Sequence, residues 1–342
     1  MNTSSTAVLS VRIKRLGYLL VWVFLAGLVG CGDAGSPTMV TVDKQPEHGA
    51  AAKPAAPRPK IALVMKTLTN PFFLEVEKGA RRAESALDIE LVVKTAAQET
   101  SIEQQMLIID DLIKARINAI VITPGDSQRL IPVLKKAAAA GIKLVNIDNR
   151  LDPEALRLAG MAGIAFVGVD NEKAAHAAAS LIARGVRPGT QAAIIEGIRS
   201  AHNAHERMMG AKRAFSENKA VRLVASETAH WKIDEGYQVA RQLFARHPDI
   251  TLLFAANDMM ALGALKYLQE SQRSTVKLAA YDALAEAVAE VKAGRLAVTV
   301  DQQAAEQGFQ GVMLATRLIK GDSVPEVTLI ETRLVTANPF KK

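Results

Sequence analysis

The sequence predicts an α/β protein with two doubly wound parallel-sheet domains, and three observations predict it. Short apolar runs without polar alternation recur from Ile61 onward, as suits strands buried on both faces. Helical patterns of roughly ten to fifteen residues separate them, which is the signature of right-handed βαβ units. About ten such strands exceed one comfortable twisted sheet, so two sheets are expected.

The first strand is Ile61–Met65, five apolar residues in a row. The polar loop Lys66–Asn70 follows it. Asn70 suits a helix N-cap, and Pro71 falls in the first turn, where its missing N–H would have had no partner. Val76, Ala80, Ala83 and Leu87 then form an apolar stripe at helical spacing. Phe72 and Phe73 are adjacent, so one ring faces the core and the other the crevice beyond the strand ends, or both are core. Strands Ile89–Lys94, Ala119–Thr123, Lys143–Ile147 and Phe166–Val169 continue the pattern with helices Ser101–Arg116 and Leu130–Ala140. Ser101 and Gln104 have capping-box spacing.

The second half alternates in the same way. Its helices are Asn171–Arg184, Ala204–Glu217, Ile233–His247, Asp258–Ser271, Leu284–Ala293 and Ala304–Lys320. Its strands are Gln191–Ile195, Val221–Ser226, Leu252–Ala255, Lys277–Tyr281 and Val298–Val300. Residues 184–189 read as a surface turn.

The 342 residues, 49% hydrophobic, are ample for two domains and exclude general disorder. The formal charge is +7, but Arg12, Lys14 and Arg15 supply three of those charges, and the remainder carries +4. That small excess, without a basic run carrying interleaved aromatics, argues against a nucleic-acid partner. The single cysteine, Cys31, excludes a disulfide framework. It follows a charged segment and the apolar run Leu16–Val29, which has signal-peptide proportions and is short for a membrane span. Leu28-Val29-Gly30-Cys31 resembles a bacterial lipobox. Residues 1–30 are therefore expected to be a lipoprotein signal peptide, and 31–59 a lipidated cysteine with a Pro/Ala-rich tether. This puts the folded body in the periplasm or on the extracytoplasmic face, anchored to membrane through Cys31.

A catalytic reading finds little support. Thr123-Pro124-Gly125-Asp126 carries one glycine after its strand and is no phosphate loop, and no serine sits in a nucleophile elbow. His202, His205 and Glu206 lack a further placed metal ligand. No enzyme, metal or cofactor is expected. Polar residues instead recur at the carboxyl ends of strands, where open α/β sheets bind ligands. They are Asp148, Asn149 and Arg150, then Asn257 and Asp258, then Asp282, then Asp301 and Gln302. Asp258 and Asp282 are also candidates for helix caps. Such carboxylates and amides suit vicinal hydroxyls, and Phe72, Phe73 and Trp231 suit the C–H faces of a sugar.

Residues Thr67–Phe73 together with Asn257–Ala264 resemble the periplasmic sugar-binding proteins of the ribose/galactose type, relatives of the effector domain of lactose-repressor-like regulators. The similarity runs from about residue 60 to about residue 335. It implies two lobes joined by a three-crossing hinge, with the ligand cleft between them: 60–169 plus 303–331, and 170–302 plus 332–342. It also implies ligand contacts from Lys66, Asn70, Phe72, Phe73, Asp148, Asn149, Arg150, Arg207, Trp231, Asn257, Asp282 and Gln302. Asn149 departs from the family, which often has arginine directly after this aspartate. The expected function is hinge-closing capture of a monosaccharide or polyol by a monomer that delivers it to an ABC-type importer permease. The alternative partner is a chemoreceptor or sensor kinase. A regulator's effector domain is the remaining rival, and a DNA-reading segment ahead of residue 60 is what it would need.

Overall fold

The computed structural model describes residues 57–161 and 163–337; the expected signal peptide, Cys31 and most of the expected tether lie outside the described residues. The first strand, β1 (Lys60–Met65), is buried from Ile61 to Met65. Its lack of polar alternation has a direct cause, because the sheet is covered on both faces. Ile61, Leu63 and Met65 belong to one apolar layer with α1 (Pro71–Ala86), while Ala62 and Val64 belong to the other with α2 (Ile102–Lys114). Asn70 caps α1, its side chain accepting from Phe72 N at 3.1 Å.

Chain order continues as β2 (Glu90–Thr95), β3 (Ala119–Ile122), α3 (Ile131–Ala139), β4 (Lys143–Ile147), α4 (Pro153–Leu158) and β5 (Ala165–Gly168). Next come α5 (Asn171–Ile182), β6 (Thr190–Glu196), α6 (His202–Glu217), β7 (Val221–Thr228), α7 (Ile233–Arg246) and β8 (Ile250–Ala255). The chain closes with α8 (Asp258–Glu270), β9 (Lys277–Ala279), α9 (Ala285–Lys292), β10 (Thr299–Asp301), α10 (Ala304–Lys320), β11 (Val327–Leu329) and β12 (Arg333–Val335).

The first sheet runs β2-β1-β3-β4-β5-β11 and is parallel throughout. The second runs β7-β6-β8-β9 and is also parallel, extended by a bridge from Ala279 to Val298 beside β10. β10 and β12 pair antiparallel. Both sheets reverse strand order beside their first strand, at β1/β3 and β6/β8, and such switch points open a crevice at the carboxyl edge. The chain passes between sheets after β5, after β10 and after β11. Helix α10 packs back on α1, where a methyl at Gly308 would meet Val76 O at 2.0 Å.

Three local expectations change. Ser101 makes no side-chain cap bond, and Gln104 accepts from Ala97 N at 2.8 Å instead, tying the loop after β2 to α2. Asn257 rather than Asp258 caps α8, accepting from Met260 N at 2.9 Å. Asp258 is fully buried one residue on and braces the α9 entry through Leu284 N and Thr299 Oγ1, both at 2.7 Å. Helix α4 and strands β11 and β12, which carry short or polar runs, have no counterpart in the sequence expectation.

Candidate ligand site

The carboxyl edges of the two sheets face each other, and loops from both line one small cavity. From the first sheet come Lys66, Asn70, Phe72 and Phe73 after β1, Glu99 after β2 and Asp148 after β4. From the second come Asn203 and Arg207 on α6, Trp231 after β7, Asn257 after β8, Asp282 after β9 and Gln302 after β10. The centres of water-sized molecules have about 20 Å³ available, room for one or so.

Backbone strain aims several of these side chains. Asp148 (φ +64), Trp231 (φ +68) and Asp282 (φ +121) all lie at positive φ, which costs about 1–3 kcal/mol each and persists only where the surroundings demand it. Phe72 and Phe73 are both buried and meet edge to face, centroids 5.1 Å apart. Neither is purely core; both reach the cavity wall. The Trp231 ring rests on Gly197, where a methyl would stand 2.1 Å from the indole.

The charges are paired at short range. Lys66 Nζ lies 2.8 Å from Asp148 Oδ2, with both side chains almost fully buried. Arg207 is 2% exposed and makes a fan of bonds: Nε to Asn171 Oδ1 (2.9 Å), Nη1 to Ala256 O (2.9 Å) and to Asp282 Oδ1 (3.4 Å), and Nη2 to Gln302 Oε1 (3.3 Å). Its guanidinium stacks 3.8 Å from the Tyr281 ring centroid, with Trp231 at 5.5 Å. Gln302 Nε2 donates to Asp282 Oδ1 at 2.6 Å. Burial pushes the Asp282 pKa up to about 7, against the pull of Arg207 and of the Gln302 hydrogen bond. Glu99 is half-buried as a residue, but its carboxyl reaches in to accept from Asn70 Nδ2 at 3.0 Å, and desolvation there raises its pKa despite Lys66. The cavity therefore presents compensated charges, amides and three aromatic rings. Asn203 Oδ1 and Trp231 Nε1 are buried without a protein hydrogen-bond partner. Nothing in this set is an activated nucleophile.

Ten of the twelve residues named from sequence lie on this one cavity. Asn149 and Arg150 do not. The left-handed turn at Asp148 carries the chain off the wall immediately after it. Asn149 is fully buried beneath, its Nδ2 donating to Pro124 O at 2.9 Å and its Oδ1 accepting from Asn203 N at 3.2 Å. The Arg150 guanidinium lies 5.3 Å from the Phe166 ring centroid, outside the cavity. Sequence reasoning missed Glu99 and Asn203. Glu99 lies in the loop after β2, and the rule that strand ends carry ligand groups could have found it. Asn203, on the first turn of α6, gave no such signal.

A family model described as a periplasmic binding protein domain matches residues 61–323. The chain belongs to the periplasmic binding protein family. Members of this family bind solutes without transforming them and work outside the cytoplasmic membrane. The D-ribose/D-allose-binding protein of Pseudomonas aeruginosa is 39% identical over 269 residues, which cover 78% of this chain and 84% of that protein. The D-allose-binding periplasmic protein of Escherichia coli is 31% identical over 80% of this chain and 91% of its own length. Among solved structures, an ABC transporter periplasmic solute-binding protein from Actinobacillus succinogenes with bound D-allose aligns with a TM-score of 0.78. It shares 33% identity and covers 82% of this chain and 99% of its own. The two parallel sheets meeting edge to edge are thus the type I form of the periplasmic binding protein fold.

Proposed function

We propose that this periplasmic binding protein captures a neutral monosaccharide between its lobes and delivers it to an ABC-type importer, anchored to the membrane through a lipidated Cys31. The observation that carries the reading is the charge balance of the cavity wall. Lys66 is matched by Asp148 and Arg207 by Asp282, while burial favours the neutral form of Glu99. Above about pH 7, where Asp282 is ionised, a site so compensated has no surplus charge for an ionic solute, but many donors and acceptors for hydroxyl groups. Asp148, Asp282, Asn257 and Gln302 would take up ring hydroxyls, Lys66 and Arg207 would donate charge-assisted bonds, and Phe72, Phe73 and Trp231 would bracket the ring. Residues of both lobes touch a solute together only when the cleft is shut, so binding favours the shut state.

The names of the relatives make D-allose and D-ribose the first sugars to test. Thermal melting of the purified chain against pentoses, hexoses and polyols is the direct experiment. Ligand at about 100 times its dissociation constant adds roughly 2.7 kcal/mol of stability, a visible shift in melting temperature. A flat response across that panel would count against a sugar ligand.

A further inference from the structure

Helix α6 carries two cavity residues, Asn203 and Arg207, one turn apart, yet it has no cap of its own. Its N-cap position is Ala201, which makes no side-chain bond. The first N–H groups of a helix need acceptors, and here they find them in the opposite lobe. His202 N donates to Ser127 Oγ at 2.9 Å, and Asn203 N donates to Asn149 Oδ1 at 3.2 Å. Ser127 N donates back to Ser200 O at 3.1 Å, and Asn203 Nδ2 reaches Asp148 Oδ1 at 3.2 Å.

The two acceptors are set in place by bonds within their own lobe. Asn149 is oriented by Pro124 O and by Asn146 Nδ2, which donates to its carbonyl at 2.8 Å. Ser127 is tied through its carbonyl to Asp152 N at 2.8 Å. Ser127 and Asn149 are 5% and 0% exposed, so neither is an incidental surface contact.

We propose that Ser127 and Asn149 are positioning residues that set solute affinity without touching the solute: they cap α6 across the cleft and hold Asn203 and Arg207 at the cavity. Parting of the lobes breaks the cap and returns the first turn of α6 to water, so the cap forms and fails with the cleft. This gives Asn149 a role unlike the ligand contact expected from its sequence position.

The test uses the full-length chain in detergent, with Cys31→Ser and spin labels on Gln98→Cys and Asp234→Cys, one on each side of the cleft mouth. Interlobe distances are measured with and without D-allose and D-ribose, alongside sugar release rates. Ser127→Ala and Asn149→Ala are each expected to speed release by roughly three- to tenfold, the scale of a lost N-cap. The distances should move outward, the affinity ratio between the two sugars should stay unchanged, and Ser127→Thr, which keeps the hydroxyl, should behave like the parent. Unchanged release and distances in both alanine variants would overturn the proposal. So would an altered affinity ratio at unchanged distance, which would mark these residues as direct contacts. If Asn149→Ala fails to fold because it also holds Pro124, Ser127→Ala decides alone. The proposal draws on the sugar reading only for its probes. If the parent binds neither sugar, that reading fails, and the sugar-free distances still judge the cap: an unmoved distribution rejects it.

Discussion

Asp282 shows how much one side chain's behaviour depends on its neighbours. The residue is 8% exposed and its carboxyl takes hydrogen bonds from Arg207 and Gln302, with burial raising its pKa to about 7. As pH falls through 7 the protonated fraction grows, and a strong acceptor is lost. Affinity for a hydroxylated ligand is therefore expected to be full above about pH 7 and to weaken below it. Binding near pH 7 should release protons, seen by calorimetry in buffers of different ionisation heat. The raised value also fixes the sign for the ligand-free fold. The folded state keeps a proton that the unfolded chain gives up near pH 4. This group's contribution to stability is thus present below that range and lost as pH rises through about 7. Asp282→Asn should weaken binding by roughly ten- to a hundredfold, equivalent to about 1.5–3 kcal/mol, and flatten that pH dependence. Trp231 offers an optical check, since a ligand against the indole should change its fluorescence, and Trp231→Phe should abolish the change. Gly197→Ala is expected to displace the ring and blunt the signal. The residue types at these positions were legible from their places after strands. Their left-handed backbone was not, because nothing local forbids Asp or Trp an ordinary φ; the opposing lobe and neighbouring loops impose it.

Among the elements, strands were the more legible. Ile61–Met65 and Ala119–Ile122 are buried on both faces, and unbroken apolar runs report that environment directly. Short pieces were not legible. β11 (Val-Thr-Leu) and β12 (Arg-Leu-Val) are largely exposed and owe their strand form to partners distant in sequence, Phe166–Gly168 and Thr299–Asp301. The Ser101 box failed for a related reason, Gln104 finding a better acceptor role in the loop after β2. Helix pairs, in turn, depend on missing side chains. Helices α1 and α10 approach so closely that a methyl on Gly79 would stand 1.7 Å from Ala305 O, and one on Gly308 2.0 Å from Val76 O. Backbone cannot yield as a side chain can. Gly308→Ala is expected to cost at least about 1–3 kcal/mol, lowering the melting temperature of the ligand-free protein by several degrees. Because the clash falls at Val76 and Ala80, a turn or more along α1 from the Phe72 and Phe73 that line the cavity, the relative affinities for different sugars should remain as in the parent.

For the whole molecule, the convergence of residues from position 66 to position 302 on one cavity was legible through a topological rule rather than through any local motif. The rule locates strand ends; it does not say which side chain a tight turn hides, and Asn149 and Arg150 fell outside for that reason. The proposed membrane attachment belongs to this scale too. The parent chain is expected to take up a labelled fatty acid during export and the Cys31→Ser variant to take up none; a parent chain without label would reject the lipid anchor.

The pairing of the buried ions has one more consequence. Lys66 and Asp148 both belong to the first lobe, and Arg207 and Asp282 both belong to the second. Each half thus carries its own counter-ions, and parting them breaks neither ion pair. Water re-entering the gap would hydrate dipoles and rims, with no bare ion to solvate. Discharge of cargo then faces no Coulombic toll, and dissolved salt has little to screen. Sugar affinity measured from dilute buffer to molar sodium chloride should accordingly stay nearly constant, whereas a carrier holding its guest by cross-gap ion pairs would lose its grip.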